Sequence, residues 1–134
     1  MEKLKLRYDS YVSSLNRLEE AINSSKNEDN SVLIDGTIQR FEFVMELAWK
    51  LIKQYLEYEE IGEFNSPRSA IKEAYKIGII ENGEIWLDMI TDRNLTSHTY
   101  DEETANNIYL NIINNYFSEL KNFKNEIGSK IYDK

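Results

Sequence analysis

The sequence contains no cysteine, so it has no disulfide and no thiolate metal site. It has one proline and five glycines in 134 residues, too few to punctuate a chain of many short strands. Val/Thr-rich alternation of the strand type is missing as well. No apolar run approaches the roughly 20 residues that a membrane helix needs. The opening residues Met1 to Arg7 carry a charge in every turn, and we expect no signal peptide there. These absences point to a cytoplasmic protein away from the membrane. Positive charge is also scarce: 16 Lys and Arg face 24 Asp and Glu, for a net charge of −8. With a pI near 4.7 the chain is poorly suited to broad nucleic-acid binding, which draws its affinity from neutralising many phosphates. Any RNA contact has to be local.

What remains is helical periodicity in a chain of single-domain length, taken as one domain over residues 1–134. Leu4, Tyr8, Tyr11, Leu15, Leu18 and Ile22 alternate at spacings of four and three, which predicts a first helix from about Lys3 to about Ser25. A second helix is predicted from about Ser31 to about Glu59, with Gly36 a weak point in its first turns. It carries two apolar stripes. Ile34, Ile38, Phe41, Met45, Ala48, Ile52 and Tyr55 form one; Phe43, Leu47, Leu51 and Tyr58 form the other. We expect one stripe to face the core and the other a partner chain. The polar remainder includes Glu46 and Lys50, ordered for a favourable i,i+4 pair.

Ser66 is placed to cap a short helix with Pro67 at its first position, ending at Gly78. Arg68 in its first turn is badly placed for the helix dipole. A solvated arginine accounts for it as well as a binding role does. A fourth helix starts near Asn82 to Glu84 and leads into Arg93. Thr99-Tyr100-Asp101-Glu102 reads as a capping box for a last helix running to about Ser129, buried through Ala105, Tyr109, Ile112, Tyr116, Leu120, Phe123 and Ile127. The expectation is an all-α, up-and-down bundle of four main helices plus one short helix.

One stretch looks like chemistry. Asp92 to Tyr100 holds the single histidine, His98, with Arg93 five residues before it and Tyr100 two after. Imidazole gives and takes protons near neutral pH, and guanidinium grips phosphate. On an unbroken helix Arg93 and His98 would lie about 140° apart, while Asn94 and His98 would share a face. Either the helix loosens after about Thr96, or Arg93 and His98 of two chains line one cleft across a two-fold axis. The broad apolar surface of the second helix favours the latter. Such a cleft suits RNA cleavage without a metal: a 2′-hydroxyl attacks the neighbouring phosphorus, His98 moves a proton, Arg93 stabilises phosphoryl charge, and Asn94 orients the ring or binds phosphate. Spacing alone does not select this function, because a lone histidine at a helix end is more often a cap. One histidine and scattered carboxylates make no metal ligand set, and no Gly-rich phosphate loop is present, so no cofactor is expected.

Arg93 to Tyr100 matches the Arg-x4-His-x-Tyr motif of the HEPN superfamily in the form found in HepT toxins. More broadly, Ile38 to Phe43, Glu46 to Lys50, Ser66 to Arg68 and Asp92 to Asp101 resemble the nucleotidyltransferase substrate-binding protein family. The resemblance implies a HEPN-like helical bundle that forms a homodimer, or a higher homo-oligomer, with Arg93, Asn94 and His98 at the interface. It implies a small nucleotidyltransferase as partner in a toxin–antitoxin pair. In such a pair the bundle is a metal-independent RNase, and the partner silences it by transferring AMP to the motif tyrosine, Tyr100 here. The same family also carries a non-catalytic alternative, a subunit that binds the substrate which the nucleotidyltransferase modifies. A structural dimer with a relic motif is the third.

Overall fold

A computed structural model describes residues 1–132. Its elements in order are α1 (Glu2–Ser25), α2 (Ser31–Tyr58), the short α3 (Pro67–Lys76), α4 (Gly83–Asn94), a 3-10 turn (Thr96–His98), α5 (Glu102–Asn111), a π-helical turn (Ile112–Tyr116) and α6 (Phe117–Tyr132). Helical backbone continues through both joints of the π turn, so α5, the turn and α6 make one long rod. Among the described residues there is no strand. The expected all-α bundle of four main helices plus one short helix is therefore the architecture of the described residues.

Local chemistry explains where the helices begin and end. The Asn30 side chain accepts from the Val32 N–H at 2.8 Å and starts α2. Ser66 accepts from the Ser69 N–H at 3.2 Å and starts α3 just ahead of Pro67. Past the end of α3 the backbone turns at Gly78, whose φ of +84° an L side chain adopts only with strain. The Ile79 N–H then reaches back to the Ala74 carbonyl at 3.0 Å, closing the helix end.

The core is one continuous cluster of the predicted stripes. Leu4, Tyr11, Leu15, Leu18 and Ile22 of α1 are buried against α2 and α6. All seven residues of the predicted stripe on the last rod are buried. Tyr11 joins the two layers twice. Its ring meets Phe123 edge-on at 5.3 Å, and its hydroxyl donates to the Leu120 carbonyl at 2.6 Å. Ser25 and Tyr109 share a 2.6 Å hydroxyl hydrogen bond at the other end of α1. On α2 the first stripe is buried from Ile38 to Tyr55, with Ile34 half-exposed. The second stripe divides. Leu51 is fully buried and belongs to the core, whereas Phe43 and Tyr58 are 55% and 45% exposed. Val44 and Leu56 are also fully buried.

Two details differ from the sequence expectation. The last helix is not uniformly α: the π turn inserts an extra residue at its middle. The capping box is also not formed. Thr99 sits in helical conformation and its hydroxyl donates to the Thr96 carbonyl at 3.2 Å, so it is committed to its own turn. Asp101 takes the N-cap position instead, where its carboxylate accepts from the Thr104 hydroxyl at 2.7 Å.

Candidate functional site

The polar stripe of α2 faces the end of α4. Arg93 lies in the last turn of α4, where a cation suits the helix dipole. Its guanidinium reaches Glu46 of α2 at 3.4 Å. Glu46 in turn holds Lys50 at 3.1 Å, which is the i,i+4 pair read from the sequence. Partial burial works to raise the Glu46 carboxyl. The hydrogen bond and charge of Lys50, the Trp49 indole N–H and the charge of Arg93 outweigh it and hold the group below its ordinary range. Among the described residues one of the five guanidinium donors is used here, and the others are open to further partners.

The α4 helix gives way to a tighter turn directly after Arg93 and Asn94. The Thr96 hydroxyl donates to Glu42 of α2 at 2.7 Å and lies 2.8 Å from the Arg93 carbonyl oxygen. The His98 N–H closes the 3-10 turn on the Leu95 carbonyl at 2.9 Å. The helix therefore loosens two residues earlier than about Thr96, and α2 pins the loosened turn through Glu42. This turn sets His98 in solvent, with its ring edge-on to Tyr100 at 6.0 Å between centroids. Tyr100 is 84% exposed.

The four motif residues thus fall into two pairs. Arg93 and Asn94 line a cavity of about 210 Å³ together with Glu46, Trp49 and Pro67. His98 and Tyr100 stand on the adjoining turn. Among the described residues, no hydrogen bond joins Arg93 to His98 within one chain. Arg68 is exposed in the first turn of α3, beside the Pro67 that lines this cavity. Among the described residues, no group of three or more His, Cys, Asp or Glu side chains is placed to hold a metal ion.

Sequence reasoning missed the supports beneath the site. Asp92 accepts from the Tyr116 hydroxyl at 2.6 Å and from the Asn111 amide at 3.0 Å, tying α4 to the π turn. Burial first, then the Asp92 hydrogen bond and the charges of Asp92 and Asp88, push the Tyr116 phenol far above its ordinary value. The available signal was that Asp92 adjoins Arg93 and has no i,i+4 partner on its own helix. Glu42 and Glu46 lie on the polar side of α2, and their contacts with Thr96 and Arg93, 54 and 47 residues away, leave no local signature.

Residues 6–129 match the family described as nucleotidyltransferase substrate binding protein like. The chain belongs to that family. As a nucleotidyltransferase substrate binding protein like chain, it has relatives and structural neighbours of several descriptions. A Haemophilus influenzae protein described as a probable ribonuclease HepT is 39% identical over 85 residues, a match spanning 60% of this chain and 58% of that protein. The chain thus spans less than two thirds of the length of this curated relative. A solved Haemophilus influenzae structure, described as revealing the fold of a substrate binding domain of a nucleotidyltransferase, superposes with a TM-score of 0.78 at 29% identity. It covers 90% of this chain and 98% of its own. A tri-AMPylated Shewanella oneidensis HEPN toxin, solved in complex with an MNT antitoxin, has a TM-score of 0.76 over 94% of this chain and 96% of its own. At 15% identity that likeness establishes the fold, and the fold is the expected one. Among the described residues, no helix of this family member is long and apolar enough to cross a membrane.

Proposed function

We propose that this chain is the toxin of a two-protein toxin–antitoxin pair, a metal-independent endoribonuclease of the HepT type that works as a homodimer. Its partner would be a small nucleotidyltransferase. The observation that carries the proposal is the placement of the single imidazole. His98 is in solvent rather than in the core, one short turn from a half-exposed arginine with donors open to further partners. The relative described as a probable ribonuclease HepT supports the same activity.

In this reading Arg93, Asn94 and His98 are the catalytic residues, with the Arg93 of one protomer and the His98 of the other lining each cleft. The exposed Phe43 and Tyr58 of α2 supply apolar surface for the pairing. The ribose 2′-hydroxyl attacks the adjacent phosphorus, the bond to the 5′ oxygen breaks, and a 2′,3′-cyclic phosphate and a 5′-hydroxyl result. His98 moves the proton at the attacking or leaving oxygen. Arg93 bears the charge growing on the phosphoryl oxygens, and Asn94 orients the ring or binds phosphate. DNA lacks the attacking hydroxyl and is not cut. Tyr100, exposed beside His98, is the phenol that accepts AMP from the nucleotidyltransferase; an adenylate there would crowd the imidazole and add negative charge.

The second reading is a non-catalytic subunit that binds the nucleotidyltransferase's substrate. The net charge of −8, which suits a protein partner, favours it. One experiment separates the two. Purified protein, with Tyr100 confirmed unmodified by mass, is incubated with cellular RNA in chelator. We expect cleavage by wild type, none by His98→Ala, and unchanged circular dichroism. Wild type that cuts no RNA under these conditions removes the nuclease. On co-expression with the nucleotidyltransferase, wild type gains the mass of AMP and Tyr100→Phe does not; addition at another residue removes the assignment of Tyr100.

A further inference from the structure

A cavity of about 620 Å³ lies between α1 and α2, and the chemistry above makes no use of it. Its charge runs against that of the chain. Lys3, Arg7, Lys50 and Lys53 line it with a single carboxylate, Glu57. In the whole sequence acids outnumber Lys and Arg by 24 to 16, so this groove is a local reversal of sign. Lys3 and Arg7 are one helical turn apart on α1, and Lys50 and Lys53 nearly so on α2. Two short rows of cations therefore border one cleft. The Arg7 Nε donates to the Gln54 side chain from across the groove, which fixes its guanidinium there.

An aromatic side chain forms the groove's far wall. Trp49 is half-exposed, and Lys53 Nζ stands 5.8 Å from its ring centre. The same Trp49 also lines the smaller cavity that holds Arg93 and Asn94. The two cavities thus share a wall, and the Lys50–Glu46–Arg93 chain of ion pairs runs from one to the other. Leu6 borders both the groove and the cleft beside Phe43 and Leu47, so the groove adjoins the face assigned above to the partner protomer.

We propose that this groove is the path of single-stranded RNA leading out of the Arg93 site, with the lysines on phosphates and Trp49 against a base. The proposal rests on the nuclease function argued above. Cations that track a backbone, interleaved with an aromatic platform, are the combination by which single strands are held. Duplex A-form RNA presents its bases stacked and unavailable to an indole. The groove also explains how an acidic protein holds RNA: four cations are gathered at one place.

The test uses full-length protein and a fluorescein-labelled 12-nucleotide RNA with 2′-O-methyl riboses, which binds but has no attacking hydroxyl. Affinity is read by fluorescence anisotropy across a salt series. Lys3→Gln with Lys53→Gln removes two phosphate contacts. We expect affinity at low salt to fall about tenfold and the slope of log K against log salt to shrink by about 1.4, at about 0.7 per contact. The charge-matched pair Lys76→Gln with Lys121→Gln, exposed and outside the groove, leaves both values as in wild type. Unchanged affinity and slope in the groove variant overturn the proposal, as does an equal loss in the control pair. Loss of the nucleotidyltransferase complex with RNA affinity intact also overturns it, and gives the groove to the protein partner. The probe is never cut, so these readings are independent of cleavage: wild type that cuts no RNA, with a groove variant that still loses binding, removes the nuclease function alone.

Discussion

Replacing Tyr116 with phenylalanine isolates one oxygen atom. The phenol is 3% exposed and donates to Asp92 at 2.6 Å, the shortest tie between α4 and the last rod. The ring is stacked on Phe41 at 5.5 Å and 18°, and phenylalanine keeps that contact, so no cavity opens. What is lost is a hydrogen bond to a carboxylate, worth about 1.5–3 kcal/mol. Asp92 keeps the Asn111 amide and is half-exposed, so water replaces part of the loss. The lower end follows, about 1.5–2 kcal/mol. For 134 residues, the unfolding entropy of about 2.1 cal/mol/K per residue gives about 0.28 kcal/mol/K, and hence a fall in Tm of about 5–7 °C. Thermal melts at pH 7 followed by circular dichroism measure it.

The pH dependence has a definite sign. Tyr116 keeps its proton when folded far above the value of 10 at which the unfolded chain releases it. Its contribution is complete below about pH 10 and is lost as pH rises above that value. The gap between wild type and Tyr116→Phe therefore narrows above pH 10. Tyr8 and Tyr11 are raised too, but both proteins contain them and they cancel in the difference. A Tm change under about 2 °C at pH 7, or a gap that widens in alkali, would refute the claim that this bond anchors α4.

Two further outcomes test other parts of the structure. Gly78→Ala forces an L residue to φ +84° with no neighbour within 4 Å to clash, so it costs only the left-handed backbone strain, about 1–2 kcal/mol, seen as a lower urea midpoint with unchanged m. Glu46→Gln removes the carboxylate that holds Arg93; we expect a lower KM for RNA, since a phosphate no longer meets that charge, and a stability change within about 1 kcal/mol because the pair is partly exposed. Glu46 is held below its ordinary value of 4.5, so any stability it adds is present above pH 4.5 and disappears as pH falls further, which acid titration of the two proteins checks.

The helices were legible because burial repeats with the helical period. The stripes on α1, α2 and the last rod could be written down from spacing, and Ser66, Pro67 and Gly78 gave the ends of α3. Spacing did not say which stripe faces the core, because two apolar stripes side by side leave the boundary between core and surface undefined, and Leu51 of the second stripe is buried with the first. The capping box failed for a different reason. Thr99 has the right residue type at the right spacing, but the 3-10 turn claims its hydroxyl first. The candidate site was half legible. Residue types nominate Arg93, Asn94, His98 and Tyr100 from a nine-residue window. They do not reveal that Glu42 and Glu46 hold the window in place, since those contacts join distant segments.

The π turn has a consequence for how the last rod tolerates change. Before it, α5 packs on α2; after it, α6 packs on α1. The extra residue acts as a phase correction that lets each segment serve its own neighbour. A one-residue deletion at Asn114 or Asn115 would not merely shorten the chain. It would remove the wide turn and leave a regular α-helix in which Leu120, Phe123 and Ile127 keep their buried face, whereas tightening the turn to α with every residue retained would rotate them by about 100°.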